Sequence, residues 1–379
     1  MSGASATRLE ALVEEAQRVL SICNACRYCE GYCAVFPALQ RRLEFRADDV
    51  HYLANLCHNC GACLDACQYA PPHEFAVNFP RLMAEVRPQT YRVHAWPAFL
   101  GAAFERNGAV IAILLALCLG GFLAGTMAYA SPGHFWSAWS VGQGSFYALL
   151  PHGVMAGLFG AVFLFVMVSL AMSGWAFWSA LGESPAAFAS PGPLSAATSD
   201  AAVLRYLDGG GEGCRSEGEA PSNARRNWHH VTAYGFLLCF ASTVVATILH
   251  YGFAIRAPYP VASLPVLLGI AGGIGIVAGP LGLLALRERR DPARGDPAQA
   301  GMDAGFLALL VVVGISGLAL LGVRETRAMG IVLALHLGAV FAFFLAMPYG
   351  KFVHGLYRFV ALVRFHVERR RPVPEVAGE

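Results

Sequence analysis

Eight cysteines fall in two runs of identical spacing. CNACRYCEGYC holds Cys23, Cys26, Cys29 and Cys33, and CHNCGACLDAC holds Cys57, Cys60, Cys63 and Cys67. Both read C-x2-C-x2-C-x3-C. Thiolates are soft ligands that suit iron in iron–sulfur clusters. Three cysteines at this spacing wrap three corners of a four-iron cube, and the fourth ligates the other cube when two runs are present. That rule assigns Cys23, Cys26, Cys29 and Cys67 to one [4Fe-4S] cluster and Cys57, Cys60, Cys63 and Cys33 to the other. The competing reading is a pair of zinc sites, which more often use two separated C-x2-C pairs. One departure concerns the exit from each run. The bacterial pattern ends in Cys-Pro, whereas Ala34 and Gln68 follow here and Pro37 and Pro71 come later. This alters the turn, not the ligand count.

The second chemistry-bearing set is histidine within apolar sequence. Ionisable residues inside a bilayer are costly and are functional candidates by default. The stretch HLGAVFAFFLAMPYGKFVH carries His336 and His354 eighteen residues apart. As one helix this is five whole turns, placing both on one face about 27 Å apart, near the roughly 30 Å of the hydrocarbon core. Two b-type haems, each held by a histidine pair, would use such spacing. Partners are sought in NWHHVTAYGFLLCFASTVVATILHYGF, with His229 or His230 at one end and His250 at the other. His229 and His250 return to within about 60° of one face, and His230 is further out of phase. The expected pairs are His354 with His229 or His230 on the inner side, and His336 with His250 on the outer. His152 is the rival of His250, or a residue of a quinone pocket. The opposing reading takes each histidine as an interfacial residue without a ligand.

These residues need elements to hold them. The chain is 56% hydrophobic and 14% charged, against about 25% charged in soluble domains. From Asn107 to Gly182 there is no Asp, Glu, Lys or Arg. Six apolar spans are expected, near 107–130, 146–172, 230–253, 263–286, 304–323 and 329–350. The predicted fold is all-α: a helical ferredoxin-like domain with two [4Fe-4S] clusters over 1–80, then a six-helix transmembrane bundle over 107–360. Residues 81–106 read as an interfacial linker, with Tyr91, Trp96 and Phe99 as its aromatic belt. Residues 361–379 read as a basic cytoplasmic tail. Thr7 and Glu10 fit a capping box opening the first helix, and Asp48 or Asp49 a cap for a helix in 41–56. The glycines of GIAGGIGIVAGP fit close helix packing or are merely permissive. Residues 183–228, rich in Ser, Pro, Gly and Ala, form either a flexible loop or a docking surface.

Arginines set the orientation. Arg205, Arg215, Arg225, Arg226, Arg287, Arg289, Arg290 and Arg294 fall in loops on the side of the head, with Arg364 and Arg369–Arg371 after the last span. The opposite loops carry only Arg256, Arg324 and Arg327. By the positive-inside rule the head, both termini and these loops are cytoplasmic, in a multi-pass protein of the cell inner membrane. The first apolar stretch begins far beyond the reach of a secretory signal. Thiols in a cytoplasmic head favour metal over disulfides. No basic stripe interleaved with aromatics points to nucleic acid. Cys118 and Cys239 read as small packing residues.

Two four-cysteine runs, a linker and a six-span body together resemble the tricarballylate-utilisation (citrate-utilisation) protein B family. The resemblance covers most of the chain, including RRNWHHVTAYGFLLCF and LRYLDGGGEGC. The last span, with MPYGKFVH, also resembles the haem b subunit of respiratory nitrate reductase and its heterodisulfide-reductase relatives, and the head resembles their helical ferredoxin module. The resemblance implies an electron-transfer role. Electrons would come from a soluble FAD-containing dehydrogenase that converts tricarballylate to cis-aconitate, and pass through clusters and haem to the quinone pool or another membrane acceptor. No catalytic constellation for a carbon substrate is present in the sequence. The alternative is a membrane transporter or redox sensor with a regulatory iron–sulfur domain.

Overall fold

The computed structural model describes residues 3–138, 145–215 and 220–372, with only the backbone for 3–8 and 145. Eleven longer helices carry the fold: α1 (Gly3–Cys26), α2 (Ala47–Leu56), α3 (Phe79–Val93), α4 (Asn107–Tyr129), α5 (His152–Ala180), α6 (Pro191–Ala202), α7 (Ala224–Phe253), α8 (Leu264–Glu288), α9 (Ala300–Val323), α10 (Met329–Ala346) and α11 (Val353–Glu368). Six candidate membrane spans follow from length and composition, α10 and α11 being counted as one. The chain is thus an all-helical, multi-pass membrane protein with a polar head.

The head is larger than 1–80. Residues 81–93, expected in a linker, belong to α3, which buries Leu82, Met83, Val86 and Tyr91 against α1 and α2. Pro88 and the charges Arg81, Glu85 and Arg87 obscured this apolar face in the sequence. Tyr91 is therefore no belt residue; it stacks on Tyr357 at 5.1 Å. Trp96 and Phe99 are exposed. At the chain start, α1 opens at Gly3, so Thr7 lies inside the helix rather than at its cap; its side chain is outside the described ones. Asp49 is the third residue of α2, and its carboxylate accepts from the Arg46 N–H at 3.3 Å.

Residues 361–368, expected in a basic tail, belong to a helix. Pro348 and Gly350 interrupt the last span, a 3-10 turn spans Met347–Tyr349, and α11 then runs into the head. There Arg42 meets Glu368 at 2.5 Å and Asp49 at 2.7 Å, Arg364 meets Glu368 at 3.0 Å, and Tyr52 donates to Glu368 at 3.1 Å. Removing one member would strand buried charge, at about 3–5 kcal/mol. Residues 373–379 lie outside the described ones.

Within the body, α7 and α8 pack backbone to backbone. A Cβ on Gly235 would stand 2.8 Å from Gly275, and one on Gly272 2.6 Å from the Cys239 amide. The glycine run of α8 is thus an interface, which only residues without side chains permit. Lys351 and Asp303 pair at 2.6 Å, tying α9 to the turn before α11.

Candidate functional site: two thiol clefts and two histidine pairs

The last turn of α1 carries Cys23 and Cys26. Arg27, at φ 56°, breaks the helix, and a turn closed by the Tyr32 N–H on the Cys29 carbonyl at 3.0 Å leads to Cys33. Ala34 then sits at φ −63°, ψ −21° before the helix Val35–Leu39. Proline is locked near that φ, so a short helix provides the exit that proline usually provides. In the second run, Cys57 ends α2, Asn59 and Gly61 take positive φ of 54° and 83°, and the helix Ala62–Asp65 carries Cys63.

The two runs interleave. Cys33 is partly buried with Cys60 and Cys57 as its neighbouring thiols, while Cys67, Cys29 and Cys26 surround Cys23. Two clefts result. One is lined by Cys23, Cys26, Cys29, Cys63 and Cys67, the other by Cys33, Cys57, Cys60 and Cys63. Phe36 and Phe79, with ring centroids 5.5 Å apart, border both. Burial, reinforced by neighbouring thiols, pushes Cys23 and Cys29 up to about 12 and Cys60 up to about 11, and Cys33 and Cys63 well above the usual thiol value. Alone, these thiols keep their protons at neutral pH; a metal would have to displace them. Among the described residues, no three His, Cys, Asp or Glu side chains close tightly enough to hold a single metal ion.

The segment 204–215 covers the second cleft. Arg215 donates its N–H to the Cys60 carbonyl at 2.8 Å, Cys214 pairs with Ser222 as an isolated bridge, and Leu207 and Cys214 pack on Cys60 and Ala62. Before it, α6 packs along α11, and His366 meets Asp200 at 2.8 Å. The described part of 183–228 is therefore folded onto the head; residues 216–219 lie outside the described ones. Composition alone masked this, because the order comes from contacts with a distant run.

The histidines gather in two pairs. His229 on α7 faces His354 at the start of α11, ring centroids 5.9 Å apart and planes at 80°. The Nδ1 of His354 lies 2.5 Å from the Lys351 carbonyl, the kind of bond that fixes a ligating histidine's tautomer. The Nδ1 of His229 is buried without a hydrogen-bond partner. His230 points elsewhere, with Tyr234 at 5.7 Å. The expected pairing of His250 with His336 is not what the structure shows. His250 stacks on His152, centroids 3.9 Å apart and planes 8° apart. His336 turns to α9, with Ser316 Oγ at 3.0 Å and its ring against Gly317. The break at Met347–Tyr349 explains the miss, since His336 and His354 do not share one continuous helix.

A metal held by two imidazole nitrogens at about 2 Å each spaces the ring centroids by roughly 6 Å. The inner pair has that spacing, whereas the stacked outer pair leaves no room for an atom between its rings. Beside the outer pair, Gly153, Gly157 and Gly160 of α5 face open space, and α5 has no extended packing with α7.

Residues 105–375 match the family model described as citrate utilization protein B, and residues 16–93 match its Fer4-like domain. The chain is 49% identical over 362 residues to citrate utilization protein B of Escherichia coli, covering 94% of this chain and 93% of that protein. No solved structure matches. The Fer4-like match marks the head as an iron–sulfur domain, and its reach to residue 93 agrees with the burial of α3 in the head. The chain belongs to the citrate utilization protein B family.

Proposed function

We propose that this chain is a membrane electron carrier that links a cytoplasmic FAD-containing dehydrogenase to the quinone pool or another membrane acceptor. When bound, two [4Fe-4S] clusters in the head and b-type haem in the body supply one-electron redox chemistry. Cys23, Cys26, Cys29 and Cys67 would hold one cluster, and Cys57, Cys60, Cys63 and Cys33 the other. His229 and His354 fit an inner haem. The outer pair, His152 and His250, does not fit a metal between its rings as it stands.

The observation that carries this reading is continuity. Arg358, four residues after His354 on α11, donates Nη2 to the Cys57 carbonyl at 2.9 Å. One helix thus joins the second thiol cleft to the inner histidine pair. The first cleft lies at the surface beside exposed Tyr28, where a soluble donor can reach. The inner-loop arginines support a cytoplasmic head in the inner membrane. The donor's substrate, tricarballylate by family resemblance, is oxidised on the partner.

The test uses the anaerobically purified full chain. About eight irons per chain, b-type bands in a reduced-minus-oxidised spectrum, and quinone reduction driven by a reduced flavoprotein are expected. About four irons or fewer would end the two-cluster reading, and absent b-type bands the haem reading. Clusters present without any electron delivery to quinone would favour the sensor alternative.

A further inference from the structure

Arginine side chains collect around the second cysteine run. Besides the Arg358 bond to Cys57, Arg225 at the start of α7 donates Nη1 to the Asn59 carbonyl at 2.6 Å. Arg290, just beyond α8, reaches the Asn59 side-chain oxygen and the Arg294 carbonyl. Arg87 of α3 donates to the Ala54 carbonyl at 3.1 Å. Four elements remote in sequence thus bring guanidinium groups onto residues 54–59.

These charges are poorly compensated: Asp303, the acid that acts on Arg290, is itself paired with Lys351 at 2.6 Å. Arg294 has Asp65 at 2.6 Å and Asp291 at 3.3 Å. Among the described residues, none of Arg87, Arg225, Arg290 and Arg358 has a carboxylate within ion-pair distance. Arg358 Nε, Arg290 Nε and Arg87 Nη2 are buried with no hydrogen-bond partner. Burial and the nearby Arg225 hold Arg290 down to about 9, which still leaves it protonated at neutral pH. Such an arrangement is costly unless an anion sits among the charges. Neither cleft is lined by a charged residue. The difference lies behind them, since the first run's Arg27 is exposed to solvent while bonding the Asn24 carbonyl at 3.0 Å, and Gln68 Nε2 approaches Cys26 Sγ at 3.7 Å.

Cluster potentials depend on net charge, hydrogen bonds and exposure. We propose that Arg225, Arg290 and Arg358 hold the second cluster at a higher reduction potential than the first, so that an electron entering the head settles on the membrane side. This rests on the electron-carrier reading. One electron leaves the first site and one arrives at the second, and no proton moves. The arginines offset the single negative charge gained at the second site.

The test is a redox titration followed by electron paramagnetic resonance on the anaerobically purified full chain. Wild type should give two one-electron waves. Cys26→Ala should remove the lower wave, which assigns the upper one to the second run. Arg358→Gln, Arg290→Gln and Arg225→Gln should each lower the upper wave and leave the lower one in place, and Arg358→Lys should keep more of the upper midpoint than Arg358→Gln. The proposal is overturned if the upper wave stays put in the variants that keep full iron, if both waves move equally, or if Cys26→Ala removes the upper wave. Should Arg358→Gln lose iron, Arg225→Gln and Arg290→Gln decide, since each touches Asn59 rather than a cysteine. A wild type with one wave and about four irons fails the two-cluster reading itself, a result distinct from two waves that ignore the arginines.

Discussion

His354 faces His229 across 5.9 Å with its plane turned by 80°, and its own Nδ1 is engaged by the Lys351 carbonyl. That leaves Nε2 of His354 as the nitrogen free to bind a metal. His229→Ala and His354→Ala should therefore each abolish the b-type bands of the inner site. His230→Ala should leave them, because that ring is directed to Tyr234. His336→Ala should leave them too, because His336 is engaged with Ser316 on α9. Bands lost in His230→Ala or His336→Ala but kept in His229→Ala would overturn the pairing. The readout is a reduced-minus-oxidised spectrum of each purified variant.

The interleaving of Cys33 with Cys57 and Cys60, and of Cys67 with Cys23, makes a prediction that single variants cannot separate but a double variant can. Cys23→Ala and Cys67→Ala should each lower iron from about eight to about four per chain. If both cysteines serve one cluster, the double variant also retains about four. If each run ligates its own cluster, the double variant damages both and iron falls toward zero. Iron and acid-labile sulfide analysis distinguishes the outcomes.

The cover on the second cleft depends on glycine. Gly209 has φ 61°, and a Cβ there would collide with the Gly213 carbonyl; Gly213 has φ 115°, and a Cβ there would stand 2.7 Å from the Ser222 backbone. Gly209→Ala should cost about 1–3 kcal/mol of backbone strain and loosen the segment that bonds the Cys60 carbonyl. Iron of the second cluster should then reach a chelator several-fold faster, with the first cluster unchanged. Equal release rates in variant and wild type would show that the segment does not guard the site.

Local patterns were legible in the sequence, and long-range ones were not. The spacing within each cysteine run lies within eleven residues, and apolar runs long enough to span a bilayer declare themselves by length. The span that carries each histidine was readable for the same reason. Ring partners were not, because they depend on how α5, α7 and α11 sit together. The clearest overlooked signal was MPYG: Pro348 and Gly350 invite a break, and the break dismantles the argument that His336 and His354 share a face. α3 was a subtler case, with its apolar stripe of Leu82, Met83 and Val86 interrupted by Arg81, Glu85 and Pro88. The folded cover at 204–215 left no local trace, since its order comes from Cys60 and Ala62 more than a hundred residues away.

His51 provides a pH prediction within the head. It is buried on α2, with Nδ1 2.8 Å from Thr90 Oγ1 and its ring edge-on to His94 at 6.1 Å. Burial, and secondarily the positive charge of His94, hold it down to about 4 from the usual 6.5. The folded state therefore keeps His51 neutral in a range where the unfolded chain protonates it. Its contribution is complete above pH 6.5, declines as the pH falls, and is lost by about pH 4. The difference amounts to about 3 kcal/mol. Unfolding of the full chain, followed by the loss of cluster absorbance in denaturant, should show His51→Gln less stable than wild type at pH 7. The gap should narrow steadily below pH 6.5 as the wild type alone begins to favour its unfolded, protonated form. A gap that stays constant from pH 7 to pH 4.5 would mean that His51 does not titrate between the two states, and that the acid sensitivity of the head comes from its carboxylates alone.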